Sequence, residues 1–486
     1  MTTGLSGFFA GLAVSAALVP VIKWIALRTG VVAHPRNDRW HRTTVPLLGG
    51  VSIALATLAG TLLMGQAAEV SVPLAAAMAV FVAGLVDDLL ALKPATKLII
   101  QIALSAAVVY SGYQLYWVES RLLDSLLTMV WLVGLTNAFN LLDNMDGLCA
   151  GTALIVAVML IAGLLLGEAR AVATPEILFL SVVAGAVTGF LIYNFPPASI
   201  FMGDSGSLML GFILATLTLN NDGVRGSRAD LLSAISGPVF VLLLPIFDTT
   251  LVTVLRLLAG RSPAVGGRDH SSHRLVGLGL SERSAVFVLW SLAAIGGGVG
   301  LLLRSASGGS LLAGGMFLAA ICLLAYRLAR VRVYDEASPV TAAVTPPAVT
   351  PLTVTFMYKR RVLDVGLDFI LIGAAYYVAN RLRFGQEAYL ANAENFYTSL
   401  PIVLATQLMA FFAVGVYRGT WDHFQRKDRV TFVKGVALGA AGGQLLILAL
   451  YRYYSYSISV FLIYAVLLAM LMILSRSVMR LLEDRS

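Results

Sequence analysis

Charge is scarce in this sequence. Only 12% of its 486 residues are Asp, Glu, Lys or Arg, against 58% hydrophobic, with a mean hydropathy of +0.86. That shortage excludes a soluble domain, because many apolar runs reach the roughly 20 residues that span a bilayer. Cysteine is almost missing: Cys149 and Cys322 lie beside or within apolar segments, which excludes a disulfide framework and leaves packing as their role. The first apolar run, near 5–29, lacks an A-x-A cleavage pattern and reads as a span, not a signal peptide. No repeat of 20–50 residues and no inverted pair of broken helices stands out. The net charge of +8 is not a nucleic-acid footprint here, since Lys and Arg in membrane proteins collect on cytoplasmic loops.

What is present is an all-α, polytopic membrane protein. About fifteen spans are expected, near 5–29, 47–65, 71–86, 97–115, 122–141, 150–167, 175–193, 205–220, 231–258, 284–303, 309–326, 361–382, 397–417, 430–450 and 457–475. With the N-terminus outside, roughly three-quarters of the Lys and Arg residues fall on cytoplasmic loops and flanks, which sets the orientation. Residues 333–356 are rich in Pro, Ala and Thr and read as an extended linker. It divides a domain of about eleven spans, 1–332, from a four-helix domain, 357–486.

Against this background one stretch stands out. Asn137, Asn140, Asp143, Asn144 and Asp146 appear abruptly between runs of Leu, Val and Ala. A helix turns about 100° per residue, so Asn137, Asn140 and Asn144 share a face. Asp143 and Asp146 are expected where the helix ends, at a turn that Gly147 allows. Other polar clusters fall on the same expected side. The loop His34 to Arg42 suits an anionic partner or a positive-inside anchor. Asp87 and Asp88, with Lys93 and Lys97 beyond, suit a phosphate site or a salt bridge to Lys97. Phe201 to Ser207 opens a helix whose first N–H groups favour phosphate, with Asp204 also readable as a plain N-cap. Asp248 is an intramembrane carboxylate, functional or paired. The loop Arg261 to Arg274 carries His270 and His273. Zinc would need further ligands that do not follow, so an anion-binding loop is preferred, and Asp-rich sites favour Mg²⁺.

Six motifs therefore follow in order: Arg39-x-His41 with Pro46 to Gly50, Asp87-Asp88 with Lys97 and Gln101, Asn137 to Gly147, Phe201 to Ser207, Pro245-x-x-Asp248, and Asp269-His270 through His273-Arg274. In them, residues 1–330 closely resemble the polyprenyl-phosphate N-acetylhexosamine-1-phosphate transferases, with phospho-N-acetylmuramoyl-pentapeptide transferase as a more distant relative. The resemblance implies transfer of N-acetylhexosamine-1-phosphate from a UDP-sugar to polyprenyl phosphate, giving polyprenyl diphosphate-sugar and UMP. It implies catalytic roles for Asp87, Asp88 and Asp204, and a Mg²⁺ ion, with Mn²⁺ as substitute, on Asp204 and Asn140. Asp143, Asp146 and Asn137 would line the nucleotide-sugar pocket and Phe201 would stack on uracil. Lys97 would lie with Asp87 and Asp88 near the lipid phosphate, and His270, His273 and Arg274 would hold the diphosphate or sugar. It further implies a bacterial inner membrane, a cytoplasmic active site and a role in starting surface glycans such as O-antigen lipopolysaccharide.

Two positions depart from the family pattern. Ser272 stands where related enzymes often carry a third His, which leaves the sugar open between N-acetylglucosamine and deoxy-N-acetylhexosamines. His34 stands where the first motif usually opens with Asp. The last 130 or so residues resemble the membrane domain ahead of polysaccharide-biosynthesis epimerases and dehydratases, through Tyr417 to Trp421 and Ser475-Arg476. Residues 357–486 hold no Gly-rich dinucleotide turn, so no catalysis is expected there; a docking or assembly role, to a glycan-assembly partner or a second copy, and a degenerate structural remnant stand as equal expectations. A transporter is the main alternative, but its polar groups would gather near the midplane. A non-catalytic scaffold would leave the acidic motifs without use.

Overall fold

In lipid the backbone satisfies its N–H and C=O groups only in helices or closed barrels, and continuous apolar stretches near 20 residues fit helices. The computed structural model describes residues 2–33, 44–118, 120–167, 174–219, 231–258, 267–303, 308–331, 365–384, 393–418, 426–451 and 457–483. The basic loop His34 to Arg42, with Arg39 and His41, lies outside the described residues. So do Arg261 to Pro263, residues 333–356 and Gly419 to Trp421.

In chain order the helices are α1 (Thr2–Thr29), α2 (Gly49–Leu63), α3 (Ser71–Leu90), α4 (Pro94–Tyr110), α5 (Arg121–Leu142), α6 (Leu148–Leu166), α7 (Thr174–Asn194), α8 (Gly203–Thr216) and α9 (Leu231–Val241). There follow α10 (Leu243–Leu258), α11 (Ser271–Gly277), α12 (Glu282–Leu303) and α13 (Gly308–Ala329). Last come α14 (Val365–Phe384), α15 (Ala393–Val414), α16 (Arg426–Tyr451) and α17 (Ile458–Glu483). Two two-residue strands, Val32–Ala33 and Val45–Pro46, pair antiparallel across the first loop.

Each expected span contains a helix, but not each is a full span. Among the described residues eleven helices are long and apolar enough to cross a membrane, or twelve counting one bent pair. Helices α2, α4 and α8 have 15, 17 and 14 residues, about 21–26 Å at 1.5 Å per residue, short of the ~30 Å hydrocarbon core. The expected span at 231–258 is two helices, α9 and α10, bent by 74°. Proline explains the break. Pro245 has no N–H for the Val241 carbonyl and its ring would clash there, whereas in the first turn of α10 neither matters.

The chain divides into two compact units: 1–91, 115–117 and 130–352, and 92–114, 118–129 and 353–486. The division falls inside α5 and assigns α4 to the second unit. In the first unit α1 packs on α7, α2 on α1 and α7, and α3 on α8. The α2, α3 and α8 contacts are close because small residues meet there. A Cβ on Gly84 would lie 2.7 Å from the Asp204 carbonyl oxygen, and one on Gly50 2.3 Å from the Gly206 nitrogen.

In the second unit α4 packs on α15, and α15 on α16. One buried ionic knot links its four C-terminal helices. Asp368 of α14 accepts from Arg476 of α17 at 2.6 Å and from the Tyr417 hydroxyl, just beyond α15, at 3.1 Å. The Arg476 guanidinium also lies 6.0 Å from the ring centre of Phe432 on α16.

Gly84→Ala should separate α3 from α8 and shift Asp204. We expect a lower midpoint of thermal unfolding, since overpacking costs typically about 1–3 kcal/mol. Melting curves of the purified variant check this.

Candidate active site

The site begins with helix ends. Helix α5 stops at Leu142, and Gly147, at φ +73°, turns the chain into α6. Asp143 and Asp146 therefore sit past the helix end, as their spacing suggests. Asp146 accepts the Ala198 N–H at 2.8 Å, and Asn194 accepts the Gly147 N–H at 3.1 Å while donating to the Ile200 carbonyl at 2.9 Å. These bonds join the acidic turn to the Pro-containing loop after α7. Phe201 is fixed by its backbone, donating to the Pro46 carbonyl at 2.9 Å and accepting from the Gly49 N–H at 2.9 Å.

Helix α8 then opens at Gly203. The left-handed φ of +75° favours glycine there, and a Cβ would lie 2.6 Å from an Asp88 oxygen. Asp204 is not the N-cap. It lies inside the first turn, and Asp88, reaching over from α3, does the capping. Its Oδ1 accepts the Asp204 N–H at 2.8 Å and its Oδ2 the Ser205 N–H at 3.0 Å. The expectation that these N–H groups would bind phosphate is thereby corrected, because a carboxylate already occupies them. Asn140 donates to Asp204 Oδ1 at 2.9 Å and to Ser207 Oγ at 3.0 Å. Both its N–H bonds are used, so its carbonyl oxygen is what it has left to offer.

The second half of the site repeats the device. Asp248 on α10, left open as functional or paired, is paired. Its Oδ2 lies 2.7 Å from His270 Nδ1, and its Oδ1 accepts from the Ser271 N–H at 2.7 Å and hydroxyl at 2.6 Å. Asp248 thus holds the start of α11 and orients His270, leaving that ring its Nε2. Ser272 donates to Asn144 Oδ1 at 2.5 Å, joining α11 to the acidic turn. Burial, with the charges of His270 and Arg268, pushes the His273 imidazole down to about 4, so it is neutral at pH 7.

These pieces enclose one cavity of about 430 Å³ in the first unit. Of the expected site residues, Asp88, Asn140, Asp143, Asp146, Phe201, Asp204, His270 and His273 line it. Asp87 is buried beside Asp88 but is not part of the lining. Asn137 donates to the Val133 carbonyl at 2.7 Å, one turn back from the lining residues. Arg274 does not line the cavity. Its guanidinium binds the carbonyls of Asp269, Leu328 and Val331, tying α11 to the end of α13. Lys97 is the fourth residue of α4, in the second unit. Glu282 and Asn194 also line the cavity without having been expected there, and so does Asn144, which spacing places on one face with Asn137 and Asn140 but to which it gives no role. Glu282 looks like an ordinary acid in a helix's first turn, so nothing in its setting marked it.

A family model described as glycosyl transferase family 4 matches residues 70–221. The chain is 33% identical over 308 residues to a probable undecaprenyl-phosphate N-acetylglucosaminyl 1-phosphate transferase of Bacillus subtilis, covering 60% of this chain and 82% of that one. The chain belongs to this family. A decaprenyl-phosphate N-acetylglucosaminephosphotransferase of Mycolicibacterium smegmatis is 34% identical over 302 residues, 55% of this chain and 74% of the relative. A phospho-N-acetylmuramoyl-pentapeptide-transferase of Bacillus cytotoxicus is 28% identical over 326 residues, 60% and 93% of the two chains. The transferase thus moves a sugar-1-phosphate onto polyprenyl phosphate.

Two predictions follow from this transferase's geometry. Asp88→Asn turns an NH₂ toward one of two backbone N–H groups, a donor–donor clash at the start of α8. Leaving that N–H unsatisfied costs about 1–3 kcal/mol, so we expect lower thermal stability and at least a 10-fold fall in kcat, with KM less changed. The second concerns pH. His273 has a lowered pKa when folded, so below its ordinary value of 6.5 the unfolded chain binds the extra proton. Stability should fall as pH drops from about 6.5 toward 4, on the order of 3 kcal/mol for this group. Thermal midpoints at pH 7.5 and 5, with His273→Asn reducing the difference, check this.

Proposed function

We propose that this transferase takes UDP-N-acetylhexosamine as donor and works on the cytoplasmic face of a bacterial inner membrane, releasing UMP and starting a surface glycan. The N-terminus would lie outside. The donor is supported by the N-acetylglucosaminyl names of two relatives, and the orientation by the loop distribution of Lys and Arg.

The observation that carries the chemistry is the charge of the cavity wall. Five carboxylates (Asp88, Asp143, Asp146, Asp204 and Glu282) and two histidines line it, with no Lys or Arg among the described lining residues. A nucleotide diphosphate and a lipid phosphate are themselves anionic, so such a wall calls for a divalent cation. Among the described residues no three His, Cys, Asp or Glu side chains form a metal cage. Mg²⁺ would suit the acidic wall, since it keeps several waters and takes one or two carboxylates plus substrate phosphates. Asp204 and the Asn140 carbonyl oxygen would hold it, with Mn²⁺ as a substitute. When bound, the ion supplies positive charge to the diphosphate oxygens.

The remaining chemistry needs no strong base. A phosphate monoester has a second pKa of about 6 and is mostly dianionic at pH 7. An acceptor oxygen attacks the β-phosphorus, the new P–O bond to the lipid forms, and the α–β bridging P–O bond breaks with its electron pair leaving on UMP. Asp88, with both oxygens engaged by N–H groups, positions Asp204 in this scheme. His270 Nε2 and His273 offer hydrogen bonds to the diphosphate. Phe201 gives the uracil a face, and Asp143 and Asp146 suit hydroxyl groups of the ribose or sugar.

The test is UMP release by purified protein, with a panel of UDP-sugars, with and without polyprenyl phosphate, and with Mg²⁺ removed by chelation. We expect release only with both substrates and metal, and a loss of at least about 100-fold for Asp204→Ala, as for one lost electrostatic group. Lipid-independent release, full rate in chelator, or full rate for Asp204→Ala would overturn the proposal, and an isolated Asp–phosphosugar adduct would replace direct attack.

A further inference from the structure

Asp248 does more than start a helix, because the ring it holds has one edge left over. Its Oδ1 accepts from Ser271 twice, and its Oδ2 lies 2.7 Å from His270 Nδ1, with both residues buried. An ionised carboxylate only accepts, so the Nδ1 proton sits on the ring and points at Asp248. That leaves Nε2. Among the described residues it has no protein partner, yet it is not sealed off, and His270 lines the cavity. With Nδ1 protonated, a neutral ring shows a bare lone pair at Nε2, whereas an imidazolium shows an N–H. The two states receive opposite kinds of ligand.

The rest of the wall selects between them. It already carries carboxylates on both sides of the ring, from Asp143 and Asp146 after α5 to Glu282 on α12, so one more acceptor adds nothing for a ligand rich in phosphate oxygens. His273, with its ring centre 6.2 Å away, is the neutral imidazole of the pair. The nearby guanidinium groups turn elsewhere: Arg256 of α10 bonds Asp269 at 2.8 Å, and Arg274 binds carbonyls of Asp269, Leu328 and Val331. Among the described lining residues, His270 is therefore the side chain able to bring a positive charge, and the carboxylate behind it favours that charge. We propose that His270 meets the donor's diphosphate as an imidazolium, donating from Nε2 to a phosphate oxygen, with Asp248 as the positioning residue that fixes the ring and its charge. The assignment rests on the UDP-sugar reading and adds to it a protonation state and the buried group that enforces it. A charge-assisted bond of this kind is roughly twice as strong as a neutral one.

The experiment titrates full-length protein in one detergent, at fixed Mg²⁺, with UDP and with uridine, which lacks the diphosphate. Calorimetry reads the UDP dissociation constant, and displacement of UDP reads that of uridine. His270→Asn keeps an N–H toward Asp248 and removes Nε2. For it we expect the advantage of UDP over uridine to shrink about 10–100-fold, with uridine affinity unchanged. Asp248→Asn, by turning its NH₂ to the ring, leaves His270 a neutral Nε2–H donor and should shrink the advantage by less. Ser271→Ala touches only the other Asp248 oxygen and should leave the advantage intact. Histidine-selective ¹⁵N NMR of the unsubstituted protein with UDP bound at pH 8 should show a ring protonated on both nitrogens, and His270→Asn should remove it. Equal losses for UDP and uridine in both variants, or no doubly protonated ring, overturn the assignment and leave Asp248 as a helix cap. If the unsubstituted protein binds neither UDP nor any UDP-sugar and releases no UMP, the donor reading itself fails and the assignment with it.

Discussion

A carboxylate inside an apolar helix holds the site together. Asp88, near the end of α3, accepts the Asp204 and Ser205 N–H groups, the second and third of α8, with its two oxygens. The start of a helix leaves its first N–H groups without intrahelical partners, and in a water-poor setting each would cost free energy if left open. Asp88 meets that need, and charge-assisted bonds make it strong. The consequence is positional. The same residue whose N–H is bound, Asp204, turns its side chain to Asn140 on α5. Three helices are thereby registered at one point, and Gly84 and Gly203 supply the room.

The device occurs twice. Asp248 does for α11 what Asp88 does for α8, and in both cases a cavity-lining side chain is fixed as a by-product: Asp204 in one, His270 in the other. The break between α9 and α10 belongs to the same logic. An unbroken span of that length would carry Asp248 in the middle of a long apolar helix, where an ionisable group is expensive. With the bend before Pro245, Asp248 lies close to the start of a new helix and meets His270 and Ser271. The chain therefore spends its few charges at helix ends, where backbone groups are waiting for them.

Much of this was legible from residue type and spacing. The end of α5 before Asp143 and the turn at Gly147 follow from helical geometry and one glycine. Asp204, Asn140, His270 and His273 were recognisable because polar residues in so apolar a chain have few innocent explanations. What could not be read was which neighbour each would meet. Asp87 and Asp88 are equivalent on paper, yet a turn of about 100° puts one in the lining and leaves the other buried beside it. Arg274 follows His273 in a basic loop, but three carbonyl oxygens claim its guanidinium. The shortness of α2, α4 and α8 was hidden because hydropathy continues past the helix ends. Glu282 was invisible because an acid in a helix's first turn is ordinary, and the other residues of the cavity wall lie far from it in sequence.

The polar cluster of the second unit differs from the one around the cavity in how far its members satisfy one another. Asp368 is fully buried, and its two oxygens are bound by Arg476 and Tyr417, with Phe432 beneath the guanidinium. The knot closes on itself. Breaking such a buried pair leaves an uncompensated charge, which is why it fixes the arrangement of helices while offering nothing outward. Around the cavity the polar groups are satisfied only in part by protein. Asn140 keeps a carbonyl oxygen, Asn144 keeps a donor and an acceptor, and His270 keeps a ring nitrogen. Each is held by one edge and open on the other. That remaining hydrogen-bonding capacity, gathered on one cavity wall, is what a polar ligand could use.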